Sequence, residues 1–158
     1  MKLRRLFLIV TALLVSSVVC FAARPAGSDT PPVRWRTIIK PAGPDSGTVT
    51  FKALVAPGWH LYGLTLPAGG PKPTVFDLKA STDVEFTGAI TPSRKPVESN
   101  DPLFGVTLSW WDSNVEFTVP FKITGKAPRI DAKINYMACD GSTCMPPKTE
   151  SISAPVKL

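Results

Sequence analysis

The chain has 158 residues, 18 Lys and Arg against 12 Asp and Glu, a formal charge of +6, one His and three Cys. That length holds one domain and is too short for a transporter, and 44% hydrophobic residues exclude wholesale disorder. The 17 Pro and 11 Gly exclude a helical bundle, because Pro removes a helix hydrogen bond and clashes with the preceding turn.

The first 23 residues combine Lys2, Arg4 and Arg5 with an uncharged run from Leu6 and small residues at Ala22 and Ala23. A basic start, a short apolar stretch and a small-residue exit describe a secretory signal peptide over residues 1–23. The alternative is a retained membrane anchor, since Leu6 to Ala23 is long enough to approach a span. A lipid anchor on Cys20 is opposed by Val19, which stands where a small residue is required. Removal of the leader discards one cysteine and half of the +6 charge. No block of Lys or Arg survives in the remainder, so no nucleic-acid partner is expected.

Residues 24–32 (RPAGSDTPP) lack any periodicity and read as a flexible linker. From there to residue 158 the chain reads as one domain of short strands. Val33–Ile39 alternates Trp35 and Thr37 with Arg34, Arg36 and Ile38. Thr48–Ala56 sets Val49, Phe51, Ala53 and Val55 on one face. Trp59–Leu64, Thr74–Leu78, Val84–Ile90, Val106–Trp111, Val115–Ile123, Ile130–Met137 and Thr149–Val156 follow. Pro44-Asp45-Ser46-Gly47, Pro57-Gly58, Gly69-Gly70-Pro71, Asp112-Ser113-Asn114 and Gly125-Lys126 separate them as turns. Eight or nine such strands predict an all-β, antiparallel sandwich of the immunoglobulin-like type.

Two cysteines lie in Tyr136-Met137-Ala138-Cys139-Asp140-Gly141-Ser142-Thr143-Cys144-Met145-Pro146-Pro147. If the last two strands form a hairpin, Cys139 and Cys144 face one another across its mouth, within reach of a disulfide. A structural staple is the plain alternative to a redox pair. It would gain little, about 2 kcal/mol in the chain-entropy model, because the loop is so short. A structural zinc wants four ligands, and His60 with two cysteines does not make a convincing set, so no metal or cofactor is expected. The residues alone leave redox and structural roles open.

Three further pieces bear on the choice. Gly58-Trp59-His60-Leu61-Tyr62 leads into Gly69-Gly70-Pro71 and Pro73-Thr74. Asp101-Pro102-Leu103-Phe104-Gly105 precedes an aromatic-rich strand, and the cysteine pair ends in Cys144-Met145-Pro146-Pro147. Over Pro57–Val156 the chain resembles the N-terminal periplasmic domain of the thiol-disulfide interchange protein DsbD. The resemblance implies a periplasmic dithiol/disulfide carrier of the sandwich type. Its partners would be thioredoxin-fold proteins of the disulfide-isomerase or cytochrome-maturation (cytochrome c biogenesis) type. Because the chain ends at Leu158, a separately encoded membrane electron carrier is expected to feed it.

By the same resemblance, Cys144 forms mixed disulfides with partners and Cys139 resolves them. A cap loop matches Asp101, Pro102, Leu103, Phe104 and Gly105, with Leu103 at the cap's usual aromatic position. His60 and Tyr62 match two aromatic positions near the cysteines, His60 standing in place of Tyr. Four residues separate the cysteines, where the best-known members have five. No Lys or Arg lies within three residues of either cysteine, and Asp140 tends to raise a neighbouring thiol's pKa, so a poor nucleophile in isolation is expected. The readings from other classes are a non-redox binding module of the cell envelope with a permanent Cys139–Cys144 disulfide, and an accessory serving one dedicated client.

Overall fold

The computed structural model describes residues 30–157. The segment predicted as a signal peptide (residues 1–23) and most of the predicted linker (residues 24–32) lie outside the described residues. The described chain is all-β, with twelve strands and no helix among these residues.

The strands run β1 (Val33–Gly43), β2 (Ser46–Val55), β3 (His60–Tyr62), β4 (Val75–Asp77), β5 (Val84–Phe86), β6 (Thr91–Pro92), β7 (Val97–Asn100), β8 (Thr107–Trp111), β9 (Val115–Ile123), β10 (Arg129–Tyr136), β11 (Ala138–Cys139) and β12 (Lys148–Pro155). One sheet runs β1-β2-β9-β5, with β6 also on β9. A second runs β12-β10-β4, and a third runs β11-β3-β8-β7. All their pairings are antiparallel.

The core sits where the first sheet faces the other two. Alternation puts Val49, Phe51, Ala53, Val115, Phe117, Val119 and Phe121 on the inner face of β2 and β9. They meet Ile130, Ala132, Ile134 and Tyr136 of β10 and Leu61, Trp111 and Ala138 of the third sheet. The outer face of β2–β9 is polar and pairs across the strands, Thr50 with Thr118 at 3.0 Å and Lys52 with Glu116 at 3.0 Å.

Sequence and structure differ where the strands are short. Val84–Ile90 ends at Phe86, Trp59–Leu64 shrinks to His60–Tyr62, and Thr74–Leu78 shrinks to Val75–Asp77. The shortening has a local cause. The Thr74 hydroxyl donates to the Tyr62 carbonyl at 2.6 Å and the Thr74 N–H to the Gly63 carbonyl at 2.9 Å, so side chain and loop replace ladder bonds. A side chain at Gly63 would collide with Ser109, which fixes how closely this loop approaches β8. β6, β7 and β11 escape sequence analysis because two to four residues, some wholly exposed, carry no periodicity.

Candidate functional site

The predicted hairpin of β10 and β12 forms, with Tyr136 opposite Lys148 at its open end. Between them the chain folds into a tight loop in which Cys139 and Cys144 are bridge partners and disulfide-bonded, with Cα atoms 4.1 Å apart. Asp140 builds that loop. Its Oδ1 accepts the Ser142 and Thr143 N–H groups at 2.9 and 2.7 Å and the Ser142 hydroxyl at 2.9 Å, and Gly141 supplies a φ of 87°. Backbone bonds Asp140 N–H to Thr143 C=O and Met145 N–H to Ala138 C=O, each 3.0 Å, close the two ends.

These bonds from the Ser142 and Thr143 amides, and then the Ser142 hydroxyl, hold the Asp140 carboxyl below its ordinary 3.8. The unfolded chain therefore binds a proton more readily than the folded one. The loop contribution is complete above the ordinary value and is lost as pH falls through the lower folded value. The Ser142 and Thr143 amide shifts in an NMR titration are expected to move together with a midpoint below 3.8; a midpoint above it would contradict the hydrogen bonds.

The rest of the site comes from the third sheet. Cys139 stands opposite His60, and Tyr62 opposite Trp110. Directly opposed residues and their i±2 neighbours share one face of a sheet. Cys139, His60, Tyr62, Trp110 and Leu108 therefore lie on one face, while Ala138, Leu61 and Trp111 turn into the core. The first face holds a second hydrophobic cluster of Tyr62, Leu108 and Cys139, with Leu66, Phe104, Val106, Trp110, Met137 and Cys144 packed against it. The His60 ring lies 5.1 Å from Tyr62, edge-on, and 5.2 Å from Trp110.

The 101–105 loop meets this cluster through Asp101 and Phe104. Asp101 is 2% exposed and receives the Tyr62 hydroxyl at 3.0 Å on Oδ2 and the Leu103 and Phe104 N–H groups on Oδ1 at 2.9 and 3.3 Å. Its backbone closes the loop, donating to Val106 C=O and accepting from Gly105 N–H at 2.9 and 2.8 Å. Gly105 takes a φ of 66°, and Pro102 is exposed. Phe104 turns inward, its ring 6.2 Å from Tyr62 and edge-on, whereas Leu103 is 46% exposed. Burial, the Asp101 hydrogen bond and the Asp101 charge together push the Tyr62 phenol above its ordinary 10, so it stays a donor at neutral pH.

The two sulfurs differ in access: Cys139 is fully buried and Cys144 half-buried. His60 is also half-buried. Burial lowers its pKa below 6.5, outweighing the upward pull of Asp101, Asp140 and Asp112. Its Nε2 is buried with no hydrogen-bond partner. Among the described residues no group of three or more His, Cys, Asp and Glu is arranged to hold a metal ion. Cys139, Cys144, Tyr62 and Phe104 share one cluster, His60 stands opposite Cys139, and Asp101 joins them through the Tyr62 hydroxyl, whereas Pro102 and Leu103 point to solvent. Trp110, Leu108, Val106 and Met137 join the cluster, and only the pairing of β8 with β3 brings the first two there.

The model for the family "Thiol:disulfide interchange protein DsbD, N-terminal" matches residues 33–155. Among solved structures, the N-terminal periplasmic domain of ScsB from Proteus mirabilis superposes with a TM-score of 0.58 at 16% identity, covering 80% of this chain. The chain spans 47% of that protein's length. The reduced DsbD N-terminal domain of Neisseria meningitidis gives 0.49 at 18% identity, covering 77% of this chain and 85% of that one. The DsbD N-terminal domain in complex with the PilB N-terminal domain, from the same organism, gives 0.44 at 19% identity, with 81% and 88% covered. No curated protein matches by sequence.

Proposed function

Because the chain belongs to the family of N-terminal domains of the thiol:disulfide interchange protein DsbD, we propose that it is a periplasmic dithiol/disulfide carrier that exchanges with thioredoxin-fold partners. The observation that carries this is the unequal access of the two cysteines: Cys139, paired with β3 and clustered with Tyr62, Leu108 and Phe104, is fully buried, and Cys144 is only half-buried. An incoming thiolate must approach one sulfur along the S–S axis. Cys144 is the sulfur that a partner reaches, so Cys144 forms the mixed disulfide and Cys139 resolves it.

In the reduced chain the roles follow from the same geometry. The Cys144 thiolate attacks a partner disulfide, a Cys144–partner bond forms, and one partner thiolate leaves. Cys139 then attacks Cys144 Sγ, the intramolecular disulfide forms, and the second partner thiolate departs. The domain loses two electrons and the partner gains them. Pro146 and Pro147, both exposed, follow Cys144 and donate no backbone hydrogen bonds, which leaves an approachable apolar margin beside the sulfur. The 101–105 loop shields the pair between encounters, with Phe104 as its inward ring. In this reading a membrane electron carrier supplies the reductant.

Replacing Cys139 by Ala should trap partners. The secreted variant is expected to form disulfide-linked adducts in non-reducing gels, and Cys139→Ala with Cys144→Ala should form none. A clean monomer for both would leave the pair as a permanent staple in a binding module.

A further inference from the structure

We propose that His60 is the proton acceptor for Cys139 in the step that releases a partner from Cys144. The proposal rests on the exchange reading above and goes beyond it to a residue and a step. Cys139 and His60 are directly paired across β11 and β3, which puts their Cβ atoms about 4.5–5.5 Å apart on one face. Reduced Cys139 must lose its proton before its sulfur can attack, and this cysteine is 0% exposed in the disulfide-bonded chain, which favours a neighbouring side chain over bulk water as the acceptor. The imidazole is the neighbour equipped to take that proton. Its Nε2 is buried and engaged in no hydrogen bond, so no protein group competes for its lone pair. Tyr62 and Trp110 hold the ring in place from two sides.

The charged and titratable groups around the ring come from each element packed on it: Asp101 from the 101–105 loop, Asp140 from the cysteine loop, Asp112 from the turn after β8, and Tyr62 on β3. Burial outweighs the three carboxylates, so the ring is neutral at pH 7. With its proton on Nδ1, Nε2 is free to accept. In the resolving step the Cys139 proton moves to Nε2 and Cys139 Sγ bonds to Cys144 Sγ. The Cys144–partner bond breaks, and the departing partner thiolate takes a proton from the imidazolium. Dithiol is oxidised, partner disulfide is reduced, and His60 returns neutral. The three carboxylates nearby stabilise the transient imidazolium.

The reduced chain reacted with 5,5′-dithiobis(2-nitrobenzoate) separates the two steps. The first thionitrobenzoate leaves in a second-order step as Cys144 is modified. The second leaves in a first-order step, independent of reagent concentration, as Cys139 resolves the adduct. In the wild type the first-order rate is expected to rise with a midpoint below 6.5 and then stay level through neutral pH. His60→Gln should slow that step roughly 10²-fold at pH 7, far more than it slows the second-order step, and make its rate climb steadily into the thiol range. A wild-type first-order rate that rises only in the thiol range overturns the proposal, and it does so whether or not the variant folds. An unchanged rate and profile in His60→Gln overturns it too. Absence of the first release at Cys144 would overturn the exchange reading itself, and this proposal with it.

Discussion

Phe117→Ala is expected to destabilise the oxidised domain by about 3–5 kcal/mol, the range for deleting a fully buried aromatic ring. Phe117 is the position where the three sheets meet. It sits on β9 at 0% exposure, 5.0 Å from Phe76 of β4 and 5.0 Å from Trp111 of β8, with Trp35 of β1 at 5.9 Å. The ring to Trp111 is edge-on at 87°, a favourable aromatic geometry. Removing it therefore empties the junction between all the layers, and the strands around it, fixed by their ladders, relax only in part. Domains of this size hold about 5–15 kcal/mol in total, so the variant approaches the limit of folding. Urea unfolding monitored by tryptophan fluorescence should show a lower midpoint with an unchanged slope. A loss below about 1 kcal/mol would mean that the junction collapses around the gap and that the packing described here is not what holds the sheets together.

The second large effect concerns access to the disulfide. Asp101→Ala is expected to accelerate its reduction by dithiothreitol roughly tenfold or more. The substitution strips the acceptor from three donors at once, the Tyr62 hydroxyl and the Leu103 and Phe104 amides. A hydrogen bond to a charged group contributes about 1.5–3 kcal/mol, and about 1.4 kcal/mol is tenfold in an equilibrium. Loss of even one bond thus changes the open fraction of the loop by that factor. Phe104→Ala should act in the same direction by removing the ring that packs toward the cysteines. Leu103→Ala should leave the rate near wild type, because that side chain is 46% exposed. The three rates, read by thiol labelling over time, separate a loop that shields from one that merely lies nearby. Equal rates in all three would remove the shielding role.

The long strands were legible because alternation survives over eight or more residues. Val49, Phe51, Ala53 and Val55 turn inward as their spacing predicts, and Trp110-Trp111 divides between the two faces, with Trp111 in the core. The cysteine loop was legible too, since Asp-Gly-Ser-Thr between two cysteines supplies both the turn and the side chain that closes it. The resemblance brought in the 101–105 loop, with Leu103 at the cap's aromatic position. In the fold the inward ring is that of Phe104. Asp101 decides this: by binding the next two free amides it sets the turn, and the turn sets which side chain points inward.

What the sequence determined by itself was the fold class, the cysteine pair and the family, all properties carried by local patterns: period-two alternation, turn residues and short spaced motifs. What only the tertiary structure decided was the neighbourhood of the sulfurs. His60 lies 79 residues before Cys139 in the chain and Tyr62 lies 39 before Asp101. Their meeting depends on β3 pairing with β11 on one side and β8 on the other. Strands of two and three residues have no periodicity to announce such pairings. The register follows instead from burying Leu61, Ala138 and Trp111 in the core, and that burial leaves Cys139, His60, Tyr62 and Trp110 together on the opposite face.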